Sequence, residues 1–392
     1  MSDIRICIPR LASAIALGVS LCSIPAHAQQ TPGAAVPDPQ QAPIALLVDI
    51  SNGQVLHARD PDRRFIPASI TKVMTLFLAF ELIEEGALDP AQLMTMRSDS
   101  WREWGGKGST MWINAGDRLR VRELLTGIAN VSANDASIML AEGYAGSVAE
   151  WVEQMNAAAQ GIGMAQSHFG TPNGWPDEGQ TFTTASDLIL LGSAMVREHP
   201  GLFRQFVGLP GYTYGGITQP NHDPLIGRVA GADGIKTGYT NESGFGYLGT
   251  VLRDGQRLMM VVAGSERGGV RARAAREYVE WGFAAFERRM LFEAQTAIAQ
   301  ARVQGGDQRM VDLIAKDDVW INLLKGSAQE PVISIDYSGP LEAPISDGEA
   351  VADLVIELDG SEAVRLPLYA RQEVQSAGFF DRIWNGIAGW FS

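Results

Sequence analysis

The stretch Pro67-Ala68-Ser69-Ile70-Thr71-Lys72 opens a run that is almost wholly apolar from Ile70 to Ile83, long enough for a buried helix. Residues at i and i+3 share one helical face, so the hydroxyl of Ser69 and the amine of Lys72 can meet. Burial favours the neutral form of a lysine, and a neutral amine beside a serine hydroxyl is a general base beside a nucleophile. The alternative is an ordinary serine near a helix start and a lysine that points to solvent.

Few other lysines are present to share such a role. The chain has 392 residues and a formal charge of −14, and its five lysines are Lys72, Lys107, Lys236, Lys316 and Lys325. Arginine, which does not deprotonate in proteins, supplies the other Lys/Arg positive charges. The acidic balance disfavours binding to nucleic acid, which needs Lys and Arg to neutralise phosphates. The histidines beyond the N-terminal segment lack metal-ligand spacing, so the sequence predicts neither a metal nor a cofactor: His57, His168, His199 and His222.

A second motif, Ser132-Ala133-Asn134, lies in a break between predicted helices at 121–130 and 136–144. A serine hydroxyl at such a break can relay a proton to a leaving group, and an asparagine amide can hold a substrate amide. Taken alone, Asn134 or Asp135 could simply cap the helix that follows.

A third motif, Lys236-Thr237-Gly238, leads toward predicted strands at 247–252 and 257–263. Lys236 and Thr237 are suited to bind a carboxylate, and Gly238 would let a substrate backbone approach the strand closely. The alternative for this motif is an exposed turn.

Together, the order and spacing of the three motifs resemble those of penicillin-binding proteins and serine β-lactamases. Within that family the chain is most similar to the low-molecular-mass D-alanyl-D-alanine carboxypeptidases. The similarity runs from about residue 40 to the C-terminus and includes Gly108-Ser109-Thr110-Met111 and Trp281-Gly282-Phe283. It implies an α/β fold: a β-lactamase/transpeptidase-like domain, with an antiparallel sheet flanked by helices and a helical subdomain, followed by a small all-β domain.

The resemblance also implies catalytic roles. Ser69 would form the acyl-enzyme with Lys72 as its base, and Ser132 with Asn134 would complete the proton relay and the substrate clamp. The backbone N–H groups of Ser69 and Tyr239 would form the oxyanion hole. Tyr239 stands where the family usually has a histidine, which should matter little because this role uses the backbone.

For substrate binding, the resemblance assigns the terminal carboxylate of the substrate to Lys236 and Thr237. An arginine downstream of this motif usually helps to bind the same carboxylate. Arg271 matches best by spacing, although Arg267 and Arg273 are close and the local pattern departs from that of the family.

The first 28 residues are predicted to be a cleaved secretory signal peptide. A basic start precedes the apolar run Leu11–Ile24, and Ala26-His27-Ala28 has the small-x-small pattern of a signal-peptidase site. The alternative is an uncleaved anchor. Both cysteines, Cys7 and Cys22, lie inside this segment, and export without disulfides fits a bacterial periplasm or cell envelope.

Composition divides the rest of the chain. Residues 29–43 are predicted to be a flexible leader, 44–290 the catalytic domain, and 291–377 a β-rich C-terminal domain of short alternating runs. A long helix at 272–289 is expected to end the catalytic domain.

The last residues, 378–392, are predicted to form an amphipathic helix rich in Phe, Trp and Ile. Too short to span a bilayer, it could lie in the interface and attach the protein to the outer face of the cytoplasmic membrane. The alternative is a terminal helix packed on the β-rich domain.

The function implied by the resemblance is release of the terminal D-alanine from peptidoglycan stem peptides, with β-lactams acylating Ser69. Two alternatives remain open: a β-lactamase of the same fold, and a catalytically weak protein that binds the cell wall or acts in morphology. For the first, Glu150 and Glu153 only loosely match the deacylating glutamate of class A β-lactamases, and their helix has the pattern of a surface helix.

Overall fold

The computed structural model of the chain describes residues 35–377 and the two-residue strand Ile4–Arg5. The rest of the predicted signal peptide, the start of the predicted leader, and the predicted C-terminal helix at 378–392 lie outside the described residues. Within the described residues, the chain forms two compact units, 35–51 with 55–284, and 52–54 with 285–377. No helix in the described ranges is long and apolar enough to cross a membrane.

The larger unit combines a five-stranded sheet with eight α-helices and two short hairpin-like strand pairs. Its strands are β1 (Ile44–Asp49), β2 (Gln54–Arg59), β3 (Leu93–Thr95), β4 (Arg118–Arg120), β5 (Gly211–Tyr214), β6 (Ile217–Pro220), β7 (Ala232–Thr240), β8 (Gly244–Arg253) and β9 (Gln256–Ser265). Its helices are α1 (Lys72–Glu84), α2 (Ser98–Trp104), α3 (Val121–Val131), α4 (Asn134–Ala145), α5 (Val148–Gly161), α6 (Ala185–Glu198), α7 (Pro200–Phe206) and α8 (Gly268–Ala285).

The five-stranded sheet has the order β2-β1-β9-β8-β7, and β9 pairs antiparallel with both β1 and β8. Successive side chains of a strand point to opposite faces, and in β9 both sets are apolar. Met259 and Val261 belong to the core on the side of α1 and α6, whereas Leu258 and Met260 belong to the core under α8. The sheet is therefore covered by helices on both faces.

Helix α8 lies on one face of this sheet through a glycine. A Cβ on Gly282 would come within 2.7 Å of Leu47 Cδ2 and 2.8 Å of Leu258 Cδ1. Because Gly282 has no side chain, α8 can lie close to the strands of the sheet. This explains why a glycine stands between Trp281 and Phe283.

The smaller unit is all β beyond Ala285 and has its own apolar core. Its strands are β10 (Phe286–Phe292), β11 (Ala297–Gln304), β12 (Met310–Ile314), β13 (Val319–Leu324), β14 (Val332–Asp336), β15 (Leu341–Glu342), β16 (Ala350–Glu357) and β17 (Val364–Ala370). Ile4–Arg5, β14, β16, β17, β12, β11 and β15 follow one another in one sheet, and β10 pairs with β13 in another.

Two local expectations differ from the structure. The helix predicted at 272–289 ends at Ala285, because residues 286–289 pair with Leu324, Leu323, Asn322 and Ile321 of β13 as the start of β10. The units accordingly divide between Ala284 and Ala285, six residues before the predicted boundary after residue 290.

Residues 35–43, part of the flexible leader predicted for 29–43, are packed in part: Pro37 and Ala42 are buried, whereas residues 38–40 are exposed. The guanidinium of Arg59 donates to the carbonyl oxygens of Pro37 and Ala42 at 2.9 and 3.0 Å, and Ala42 has no exposed surface. Composition gave no sign of this, because the partners of these carbonyls come from elsewhere in the unit.

Candidate active site

Ser69 and Lys72 meet at the start of α1. Ser69 lies in a single 3-10 turn, Ala68–Thr71, which leads directly into the helix. Lys72 Nζ donates to Ser69 Oγ at 2.9 Å and to the carbonyl oxygen of Asn173 at 2.6 Å. The lysine side chain is completely buried, whereas Ser69 is partly exposed. The spacing of the motif therefore brings a buried amine against an accessible hydroxyl.

Burial holds the pKa of Lys72 well below its ordinary value, and the positive charge of Lys236 lowers it further. The carboxylate of Asp135 acts in the opposite direction. The dominant cause is loss of hydration, which shifts the balance toward the neutral amine. Lys72 thus has the position of a general base for Ser69, and the direction of its pKa shift favours the form that this role requires.

Ser132 ends α3 in the left-handed region, with φ of 62°, and is nearly buried beside the cleft. Asn134, the first residue of α4, donates from Nδ2 to the carbonyl oxygen of Lys107 at 2.9 Å, so its side chain is oriented by the loop before it. Neither residue provides a side-chain cap, so the alternative expectation that Asn134 caps α4 is wrong.

The side chain of Asp135 holds the loop that contains Met111 and Ile113. Its carboxylate accepts the N–H of Met111 at 3.0 and 3.1 Å and the N–H of Ile113 at 3.1 Å. Burial raises the pKa of Asp135, while these backbone hydrogen bonds favour its charged form. Together these bonds attach the segment 109–113 to the start of α4.

Lys236, Thr237 and Gly238 lie on β7, at the edge of the five-stranded sheet. Burial lowers the pKa of Lys236 to about 7, with the charge of Arg271 as a second cause. Gly238 is needed for close approach, because a Cβ there would lie 2.3 Å from the carbonyl oxygen of Pro67. Gly238 therefore lets β7 lie against the turn that carries Ser69. This close contact within the chain is additional to the close approach of substrate predicted for Gly238.

The structure distinguishes the three candidate arginines. Arg271, near the start of α8, lines the cleft, and its Nη1 donates to the carbonyl oxygen of Gly246 at 3.2 Å. Burial lowers its pKa from the ordinary arginine value, although a guanidinium remains charged. Arg267 and Arg273 are exposed and do not line the cleft.

Tyr239 presents its ring at the mouth of the cleft and is half exposed. The ring stacks on Phe245 with centroids 4.1 Å apart, and the hydroxyl donates to Asn241 Oδ1 at 2.6 Å. The aromatic wall formed by Tyr239 and Phe245 thus lies beside the proposed oxyanion donor.

The loop 173–176 also lines the cleft and was not predicted from the sequence. The Asn173 carbonyl positions Lys72, and Gly174 has φ of +71° with a Cβ position only 1.8 Å from the carbonyl oxygen of Ala68. No sequence motif identifies this loop, because the residues that it contacts, Lys72 and Ala68, lie about a hundred positions earlier in the chain. Gly174 was the only local feature that could have indicated it.

His222 is a second missed residue of the cleft. Partial burial lowers its pKa to about 4, with the charges of Lys236, Arg271 and Lys72 as further causes. An uncharged imidazole is therefore available to substrate at neutral pH.

The cleft formed by these residues has a volume of about 520 Å³. Its described lining brings together Ser69, Ser132, Asn134, Thr237, Gly238, Tyr239 and Arg271, with the Asn173–Pro176 loop and His222. Lys72 and Lys236 are buried beneath it. A buried amine against a partly exposed serine hydroxyl, beside cationic carboxylate-binding groups, is the arrangement of a Ser-Lys acyl-transfer site.

The chain belongs to the D-alanyl-D-alanine carboxypeptidase family, peptidase S11, whose model matches residues 30–267. The model of the penicillin-binding protein 5 C-terminal domain matches residues 286–376. Both matches confirm the resemblance drawn from the motifs and the predicted fold class. The protein is thus a hydrolase of the D-alanyl-D-alanine carboxypeptidase class.

Individual relatives cover nearly the whole chain. The D-alanyl-D-alanine carboxypeptidase DacA of Haemophilus influenzae is 29% identical over 372 residues, 94% of each chain. The crystal structure of penicillin binding protein 5 from the same organism has a TM-score of 0.75 at 29% identity, covering 87% of this chain and 100% of its own. Penicillin-binding protein D2 from Listeria monocytogenes, solved in an ampicillin-bound form, has a TM-score of 0.56 at 28% identity, covering 62% and 97%.

Proposed function

We propose that this protein is a serine-type carboxypeptidase that releases the terminal D-alanine from peptidoglycan pentapeptide stems through an acyl-enzyme on Ser69. The observation that carries the proposal is the 2.9 Å hydrogen bond between Lys72 Nζ and Ser69 Oγ, made by a completely buried lysine. The proposed mechanism consists of acylation followed by hydrolysis.

In the acylation step, neutral Lys72 takes the hydroxyl proton as Ser69 Oγ attacks the carbonyl carbon between the two D-alanines. The backbone N–H groups of Ser69 and Tyr239 donate to the oxyanion that forms. The C–N bond then breaks, the proton passes to the leaving nitrogen through Ser132, and D-alanine departs. In the second step neutral Lys72 takes a proton from the water that attacks the ester, the C–O bond to Ser69 breaks, and Lys72 gives that proton to Ser69 Oγ.

Substrate orientation in this proposal depends on the C-terminal carboxylate of the stem peptide. Lys236, Thr237 and Arg271 would bind it, and Asn134 would hold the amide of the penultimate residue. The support is the placement of two cationic side chains at or beneath the cleft in which Ser69 is exposed. A planar guanidinium matches a carboxylate with two parallel hydrogen bonds.

β-Lactams would acylate the same serine, because they present a carbonyl and a carboxylate at similar positions. Relatives from Listeria monocytogenes, each 28% identical to this chain, were solved in ampicillin-bound and cefotaxime-bound forms. Among the described residues that line the cleft there is no Asp or Glu, and Glu150 and Glu153 are not part of it. We therefore favour a slowly hydrolysed adduct over the turnover that a β-lactamase needs.

The test is release of D-alanine from a pentapeptide by the intact protein and by Ser69→Ala. Loss of nearly all release in Ser69→Ala supports the proposal. Ser109→Ala is the matched control, since Ser109 also lines the cleft, and it should keep most of the activity. No release by the intact protein would favour the cell-wall-binding alternative. Rapid hydrolysis of labelled penicillin, without a long-lived adduct, would favour the β-lactamase.

We also propose that the protein acts in the periplasm, on the outer face of the cytoplasmic membrane. The support is sequence-based: the signal-peptide pattern of residues 1–28 and the amphipathic pattern of 378–392. Cell fractionation of the full-length chain, compared with a chain that ends at residue 377, tests it. Equal membrane recovery of both would contradict the role of the C-terminal segment.

A further inference from the structure

A cluster of acidic side chains surrounds one histidine where α1 and α6 end. Glu81 is in the last turn of α1, Glu198 is the last residue of α6, and His199 follows it. One ligand atom from each of these three residues lies within 4.8 Å of those of the other two. The sequence spacing gave no metal signal because the carboxylates come from two different helices.

His199 is the unusual member of this cluster. Its side chain is 4% exposed, and neither ring nitrogen has a hydrogen-bond partner. Nε2 lies 3.7 Å from Glu81 Oε1, and Nδ1 lies 2.9 Å from Glu84 Oε2. The ring is held edge-on between Phe77 and Phe80, with centroids 5.3 and 6.1 Å away. Each nitrogen of this buried imidazole thus lies close to a carboxylate oxygen but is not hydrogen-bonded to it.

The charges around this histidine are unbalanced. Glu81, Glu84 and Glu85 lie at the C-terminal end of α1, where the helix dipole disfavours negative charge, and the last turn of α1 contains no basic residue. Burial raises the pKa of Glu81, the charge of His199 lowers it, and the carboxylates of Glu198, Glu85 and Glu84 raise it again. A cation placed among these groups would relieve the repulsion.

An open cavity of about 470 Å³ is lined by Glu81 and Glu198, two of the three residues of the cluster. Among the described residues that line it, Arg197 provides the positive charge, and its guanidinium donates to the carbonyl oxygen of Ile50. Because Glu81 is half-buried and Glu198 is exposed, their carboxylates can move toward a bound ion.

We propose that this cluster binds a divalent cation of the zinc class through His199 Nε2 and one oxygen each of Glu81 and Glu198, with water completing the shell. Imidazole and carboxylate are ligands that Zn²⁺ prefers, at about 2.0–2.2 Å, which corresponds to ligand atoms roughly 3.4 Å apart in a tetrahedron. Small rotations of the two glutamates reach that geometry. Glu84 would accept the Nδ1–H and fix the tautomer, as carboxylates do for zinc-bound histidines.

The ion would join the C-terminal ends of α1 and α6 and stabilise the larger unit. Lys72 is nine residues before Glu81 on α1, about 14 Å along the helix at 1.5 Å per residue. The site is therefore distinct from the proposed acyl-transfer chemistry, and its role is structural.

The proposal is tested by equilibrium dialysis of untagged, chelator-treated protein against Zn²⁺, followed by metal analysis and thermal unfolding. We expect one ion per chain, and a rise in Tm of about 5–10 °C at a hundredfold excess over the dissociation constant. Co²⁺ in place of Zn²⁺ should give the visible absorption of a low-coordinate nitrogen–oxygen site.

Glu198→Gln should remove most of the binding and the Tm shift, because it replaces an exposed ligand with a weaker one. Glu85→Gln is the matched control: it removes the same charge from the same cluster without removing a ligand, and should still bind. His199→Gln tests the nitrogen ligand, with circular dichroism to check folding. Absence of binding by the intact protein, or an equal loss in Glu85→Gln and Glu198→Gln, would overturn the proposal in favour of an imidazolium paired with carboxylates.

Discussion

Lys72 Nζ lies 2.9 Å from Ser69 Oγ, and the lysine has no exposed surface. A charged amine in this position would be poorly hydrated, and the nearby charge of Lys236 disfavours it further. Burial makes this amine less basic than a hydrated lysine, but it favours the unprotonated form, whose lone pair is available to accept the proton of Ser69.

Lys72→Met should abolish the base while retaining a side chain of similar length. We expect the rate of Ser69 acylation by a fluorescent penicillin to fall by about 10²–10⁴, the usual contribution of general base catalysis. The free energy of unfolding should change little, because the gain from replacing a buried amine with an apolar side chain is offset by loss of the hydrogen bond to the carbonyl oxygen of Asn173. Lys107→Met is the control, since Lys107 Nζ lies over the rings of Trp104 and Trp175 instead of contacting the serine. Similar acylation rates in the two variants would exclude Lys72 as the base.

The two buried lysines predict a bell-shaped dependence of kcat/KM on pH. As pH rises through the lowered pKa of Lys72, the neutral base forms and the rate increases. Lys236 must be charged to bind a carboxylate, and burial lowers its pKa to about 7, so substrate binding should weaken above that pH. Lys236→Arg keeps the charge at every pH in the range.

D-Alanine release measured as a function of pH checks this prediction. In Lys236→Arg the alkaline decrease should disappear while the acid limb, which belongs to Lys72, stays in place. An alkaline limb that is the same in both proteins would show that Lys236 does not control it.

The sequence was informative wherever a motif lies within one turn or one strand. Ser69 and Lys72 meet because helical spacing brings them together, and Lys236 to Gly238 lie on one strand, as their pattern indicated. The short apolar run at 257–263 likewise indicated the strand found as β9. Local periodicity alone determines these features.

The remaining features depend on contacts between distant segments. The carbonyl of Asn173 accepts from Lys72 across 101 positions, and the side chain of His222 enters the cleft from a loop without regular structure. The end of α8 at Ala285 depends on the pairing of β10 with β13. No short pattern encodes such partners, and so the sequence could not predict them.

Asp135→Asn should act on both stability and pH dependence. The carboxylate accepts hydrogen bonds from the N–H groups of Met111 and Ile113, and its loss should cost about 2–4 kcal/mol of unfolding free energy. The negative charge raises the pKa of Lys72, so the acid limb of kcat/KM should move to lower pH. Chemical denaturation and pH profiles measure the two effects.

Asp117→Asn is the control for this change, because Asp117 accepts the N–H of Asn114 at 2.8 Å in the same loop but does not influence Lys72. In Asp117→Asn the acid limb of kcat/KM should lie at the same pH as in the unsubstituted protein. If the acid limb of Asp135→Asn lies at the same pH as in the unsubstituted protein, the charge of Asp135 does not raise the pKa of Lys72.

Gly174→Ala should displace the turn that carries the nucleophile. Its φ of +71° disfavours any side chain, and a Cβ would lie 1.8 Å from the carbonyl oxygen of Ala68. Gly179 has a similar φ, +85°, with nothing within 4 Å of its Cβ position, so Gly179→Ala carries the conformational cost of about 1–2 kcal/mol without the clash. We therefore expect Gly174→Ala to lower both Tm and the acylation rate, and Gly179→Ala to lower Tm alone. Equal acylation rates in the two variants would mean that the 173–176 loop does not position Ser69.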